Sequence, residues 1–155
     1  MAKAEWYEGK DGKAQHLVYV DKKAKELEKL ISNEKTMIIR GGAGRKNPLG
    51  GRAKEGDDIF LVESGGDMTV THKGIISKVI ESEKMTSDES ENFIKKYDKE
   101  LNLSKEQLKR WTGKKYLAVY ELSDIEEIEP FKYNRGKNMD DWIITDDISK
   151  IKVDK

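Results

Sequence analysis

The chain has 155 residues, enough to bury one core but not two, and with 35% hydrophobic against 39% charged residues it is polar for a globule. Its 30 basic residues balance 30 acidic ones, so no overall field draws it onto nucleic acid or membrane and any electrostatic function must be local. The absence of cysteine excludes thiol nucleophiles, disulfides and thiolate zinc sites; with no long apolar run and no apolar leader segment, the sequence reads as soluble and cytoplasmic.

Residues 1–15 are polar apart from Trp6 and Tyr7 and read as an N-terminal arm on a single domain spanning 1–155. "HLVYV", 16–20, is a β-rich run. In the following "DKKAKELEKLISNEK", Ala24, Leu27, Leu30 and Ile31 recur at helical spacing, Asp21 is placed to cap the helix start, and Asn33 can take the left-handed conformation that stops it. "TMIIR", 36–40, resumes as a strand. The stretch 41–51 holds five glycines and one of the two prolines, too permissive for regular structure.

"GDDIFLVE" turns at Gly56-Asp57 into a strand over 58–63, and "MTVTHKGIISKVIESEKM" reads as one long strand bent at Gly74. In 87–110, Phe93, Ile94, Tyr97 and Leu101 share a helical face, Ser104 caps a second helix and Gly113 ends it. "KYLAVYELSDIEEIEPF" and "DDWIIT" read as strands, with "DISKIKV" as a last one. This non-alternating order predicts an α+β fold whose antiparallel or mixed sheet curls into a small barrel.

From Lys35 to Lys54 run six cations, Lys35, Arg40, Arg45, Lys46, Arg52 and Lys54, and no acid. Glycines leave backbone amides open to phosphate oxygens and Arg supplies forked donors, so the run reads as a phosphate grip; the plain alternative is solvated surface, with Arg40 in a salt bridge to Asp57 or Glu55. "GAGRKN" fits neither triphosphate-loop pattern. Trp111, Trp142, Tyr133 and Phe131 read first as packing residues and second as a platform for an unpaired base. His16 and His72 have no carboxylate or second His at ligand spacing, so neither a metal nor a cofactor is expected. No G-x-S-x-G elbow is present. The acidic run "ELSDIEEIE" should lie away from any phosphate track.

The succession of strand, helix and "ISNEKTMIIR" resembles the opening of the ASCH domain of the PUA-like superfamily, whose motif is G-x-K-x-x-E-x-R at the helix-to-strand junction. In the window 33–40, Lys35 and Arg40 match, while Asn33 and Ile38 stand at the Gly and Glu positions. "GDDIFLV", "HKGIISKVI" and "YLAVYELSDIEEIEPF" extend the likeness in element order over 17–142. The resemblance implies a PUA-like small mixed β-barrel with flanking helices, and a cleft by the first helix that takes RNA or a modified nucleotide through Lys35, Arg40, Arg45, Lys46 and Arg52.

Some ASCH proteins resemble amidohydrolases acting on acetylated cytidine. That reading would use Lys35 as a base of lowered pKa, Thr36 as proton relay or nucleophile, and a carboxylate for proton transfer. Ile38 neither accepts nor donates a proton, so the carboxylate would have to come from Glu63, Glu81 or Glu121, and the departure moves the reading from catalysis toward binding. An RNA- or modified-nucleotide-binding module therefore comes first, an amidohydrolase second and a protein-interaction module third, with no membrane partner.

Overall fold

A computed structural model of the protein describes residues 14–44, 49, 51–64, 69–133, 142–145 and 148. Most of the expected arm, the loop cations Arg45 and Lys46, and the expected last strand apart from Ile148 lie outside these residues. The elements in chain order are β1 (Gln15–Val20), α1 (Glu26–Ile31), β2 (Met37–Gly42), β3 (Asp58–Glu63), β4 (Thr69–Glu81), α2 (Ser87–Lys96), α3 (Asp98–Leu101), α4 (Lys105–Trp111), β5 (Tyr116–Lys132) and β6 (Trp142–Thr145).

The strands form one sheet in the order β2-β5-β4-β3-β1-β6. β3 pairs antiparallel with β4 and β4 with β5, β2 and β6 add antiparallel at the edges, and β1 joins β3 in parallel. Side-chain alternation sends Val18, Val20, Ile38, Ile59, Leu61, Tyr120 and Trp142 to the concave side, where Leu27 and Leu30 of α1 close over them. The convex side is buried at both wings. Met37, Ile39, Leu117 and Val119 pack against Ile94, Leu101 and Trp111 of the helices. On the other wing, Leu17, Phe60, Val62 and Ile143 gather with Phe131 and Tyr133. Two-sided burial explains why the strand sequences are nearly continuous apolar runs instead of strict alternations.

The sheet curls far enough for its two edges to approach. Arg40 of β2, at one edge, lies 5.6 Å from the ring of Trp142 in β6, at the other, and that ring is 4.9 Å from Tyr120 of β5. The result is a six-strand half-barrel with flanking helices, the predicted α+β class.

Local chemistry accounts for the joints. β4 is long and slips register against β5 near Gly74, as expected; a Cβ there would sit 2.7 Å from Ile125 Cδ1. Ser104 and Gln107 cap α4 reciprocally, as do Thr86 and Glu89 on α2. Asn33 takes φ 66° just beyond α1, the left-handed conformation expected of the residue that stops the helix.

Three expectations need correction. Asp21 does not cap the helix: its Oδ1 accepts the Ala24 amide at 3.2 Å and closes a turn, and Lys25 at φ 57° delays α1 until Glu26. The helical region is three pieces, because Tyr97 and Asn102 leave helical geometry. Gly41 and Gly42 belong to β2, where a Cβ on Gly41 would overlap the Tyr116 carbonyl and the Leu117 side chain, so close strand approach, not phosphate wrapping, accounts for Gly41. Among the described residues, no helix is long and apolar enough to cross a membrane.

Candidate nucleotide-sized cleft

A cleft of about 370 Å³ opens where β1 ends, a size typical of small-molecule sites. Tyr19, Val20 and Asp21 line one wall with Glu26 of α1. Glu106, Gln107, Arg110 and Trp111 of α4 line the other, and Arg40 and Ser64 complete it. The Arg110 guanidinium stacks 4.5 Å from the Trp111 ring centroid, giving the wall a flat cationic and aromatic surface. Three carboxylates (Asp21, Glu26, Glu106) face two guanidiniums (Arg40, Arg110), so the lining itself leans acidic. A neighbouring hollow shares Asp21 and Ser64 with the cleft and adds Lys22 and Lys23, both exposed, at its rim.

Behind this wall lies a buried ion pair. Lys35 is 1% exposed, its Nζ stands 3.3 Å from Glu26 Oε2 and also donates to the Leu101 carbonyl, and Glu26 Oε1 accepts the Asp21 amide at 2.8 Å. Burial pushes the Lys35 ammonium below its ordinary value, and the Glu26 charge opposes that shift. A carboxylate therefore does face Lys35. It comes from α1, twelve residues before Ile38 in the chain, and not from Glu63, Glu81 or Glu121. Of the pair, Glu26 lines the cleft while Lys35 backs it.

Arg40 lines the cleft and is a clasp as well: its guanidinium donates to the Ile39 and Tyr19 carbonyls, each at 2.7 Å, tying β2 to β1 across the gap in the half-barrel. Thr36 sits beside Lys35 with its backbone bonded to Glu100 and Leu122. Arg52 is exposed on the loop before β3, and none of the described residues of that loop lines the cleft. Arg45 and Lys46 lie outside the described residues. Trp142, Tyr133 and Phe131 are buried in the core, as their packing reading expects, and Trp111 alone of the four borders the cleft.

Glu26, Gln107 and Arg110 were not singled out from the sequence, and Asp21 only as a helix cap. The signal that points to Glu26 is the pairing of an acid in the first turn of a helix with the motif Lys at its far end.

A second polar chain sits inside the barrel. Trp142 Nε1 donates to His16 Nδ1 at 2.9 Å, and His16 Nε2 lies 2.8 Å from Asp57 Oδ2. An indole N–H only donates, so Nδ1 must accept, which puts the imidazole proton on Nε2 and toward Asp57. The Lys54 amide, at 3.0 Å, also reaches Asp57 Oδ2. His16 thus does have a carboxylate partner, which the sequence reading missed; the parallel pairing of β1 with β3 supplies it from 41 residues away. Burial lowers the His16 pKa, with Asp57 opposing. Among the described residues, no group of three or more His, Asp or Glu side chains is placed to hold a metal ion.

No protein-family model matches the chain, and no curated protein matches it. Solved structures do. The crystal structure of ASCH from Zymomonas mobilis superposes with a TM-score of 0.56 at 16% identity, over 76% of this chain and 73% of that one. A Tyr-to-Phe variant of that protein gives a TM-score of 0.56 at 16% identity, over 76% and 75% of the two chains. A Ser-to-Ala variant gives 0.55 at 15%, over 76% and 73%. The expectation drawn from Lys35, Arg40 and the order of elements holds for the architecture: the chain has an ASCH-like fold.

Proposed function

We propose that the protein binds RNA by taking one unpaired or modified nucleotide into the cleft between β1, Arg40 and α4, with the adjoining phosphates on basic residues outside it. The observation that carries this reading is the division of charge. The lining leans acidic and carries a stacked Arg110–Trp111 wall, which suits a neutral base; Lys22 and Lys23 at the rim suit phosphate. Arg45, Lys46 and Arg52 extend the same role along the strand of RNA.

The test is a salt titration of binding to mixed single-stranded and structured RNA. Removing the charges of Lys22 and Lys23, or of Arg45 and Lys46, should flatten the slope of log K against log salt by about 0.7 per lost contact with a single strand. An absence of RNA binding at low salt would overturn the reading.

One observation favours a second reading, hydrolysis of an acetylated nucleoside: Glu26 stands against Lys35, supplying a carboxylate that Ile38 cannot. Release of acetate from acetylated cytidine, abolished in Glu26→Gln, would support it. No release at high enzyme concentration would leave binding as the function.

A further inference from the structure

We infer that Glu26 makes the cleft selective for bases presenting an amino group, favouring cytosine and adenine over their oxo counterparts uracil and hypoxanthine; the inference rests on the nucleotide-binding reading above. Glu26 is 3% exposed and lines the cleft. Its carboxylate is held at both oxygens, Oε1 by the Asp21 amide at 2.8 Å and Oε2 by Lys35 at 3.3 Å. Two anchors on separate oxygens prevent rotation.

An ionised carboxylate is an acceptor only, with about four lone-pair sites, of which these contacts occupy two. A ligand edge laid against it must donate. The exocyclic amine of cytosine or adenine does so, forming a charge-assisted bond. In uracil and hypoxanthine a carbonyl oxygen replaces that amine, setting lone pairs against an anion in a site with little water to screen them. Gln107, whose Oε1 already accepts the Ser104 amide at 3.1 Å in the α4 cap, is neutral and supplies no such anionic acceptor.

The test measures binding of cytidine against uridine monophosphate, and of adenosine against inosine monophosphate, to the full chain. Within each pair the ring size and phosphate are constant and the amino-for-oxo exchange is the main change. The amino member should bind at least about tenfold tighter, as expected where a buried acceptor is otherwise left facing another acceptor. In Glu26→Gln, whose amide can present either atom, each ratio should fall to within about threefold of one. The double variant Glu26→Gln, Lys35→Met removes both buried charges together and gives the same readout if the single variant folds poorly.

Equal binding within each pair, a preference for the oxo member, or a ratio that survives in both variants would overturn the inference while leaving nucleotide binding intact. If none of the four nucleotides binds, the reading on which it rests falls with it.

Discussion

Lys35 and His16 are both ionisable, both almost wholly buried and both paired with a carboxylate, yet they sit in opposite surroundings. His16 is enclosed: Trp142 satisfies one ring nitrogen, Asp57 the other, and neither His16 nor Asp57 borders the cleft. Lys35 stands behind a partner, Glu26, that does line it. Buried polarity alone therefore does not mark a site. The difference is whether the group's partner reaches space that a ligand can enter, and by that criterion the His16 chain fastens β1, β3 and β6 together while the Lys35–Glu26 pair shapes a binding surface.

The comparison can be broken most forcefully at Lys35. Lys35→Met leaves Glu26 buried without its counter-charge and should cost about 3–5 kcal/mol in urea unfolding, whereas pairing it with Glu26→Gln should recover part of that loss. A loss under 1 kcal/mol for Lys35→Met, using the ordinary range for surface pairs, would mean that the pair is solvated and the contrast false.

His16→Leu should cost somewhat less, about 2–3 kcal/mol, because it orphans the Trp142 N–H and removes one of the partners of Asp57. Nucleotide binding by the folded variant should not change; a weakened affinity would join the two regions that the account separates.

A smaller effect appears with pH. Native His16 titrates below its ordinary 6.5, so the unfolded chain takes up the proton first. Its contribution to stability is complete above that value and is lost as pH falls below it, with a slope of at most about 1.4 kcal/mol per pH unit. Urea midpoints between pH 7 and 5 should drop less steeply in His16→Leu than in the wild type, and an unchanged slope would contradict the buried neutral imidazole. Smallest is Ser104→Ala. Loss of the α4 cap should cost about 1 kcal/mol and weaken nucleotide binding, since α4 carries Arg110 and Trp111.

What could be read from the chain followed from local chemistry. The strand over Asp58–Glu63, the bend at Gly74, the Ser104 cap and the left-handed Asn33 depend on residues close in sequence, and each is found where expected. The architecture followed from Lys35, Arg40 and the order of elements. The short α1 did not, because the Asp21 turn and the left-handed Lys25 compete with an otherwise good helical pattern.

The site was the least legible. A contiguous run of cations drew attention to 35–54, but the cleft gathers Asp21, Glu26, Arg40, Arg110 and Trp111 from segments joined only by the curl of the sheet and the docking of α4. Three of its lining residues are acids, Asp21, Glu26 and Glu106, and nothing local in the sequence ties them to one another. The pairing of His16 with Asp57 was hidden for the same reason, since only the parallel register of β1 and β3 brings them together.

A base bound as proposed occupies the cleft and not the barrel interior. The most direct test follows the indole N–H signals of Trp111 and Trp142 by NMR while a short mixed-sequence single-stranded RNA is added. The account predicts a saturable shift at Trp111, at the cleft wall, with Trp142 unmoved in its bond to His16. Binding that leaves Trp111 unshifted, or that moves Trp142 instead, would contradict it.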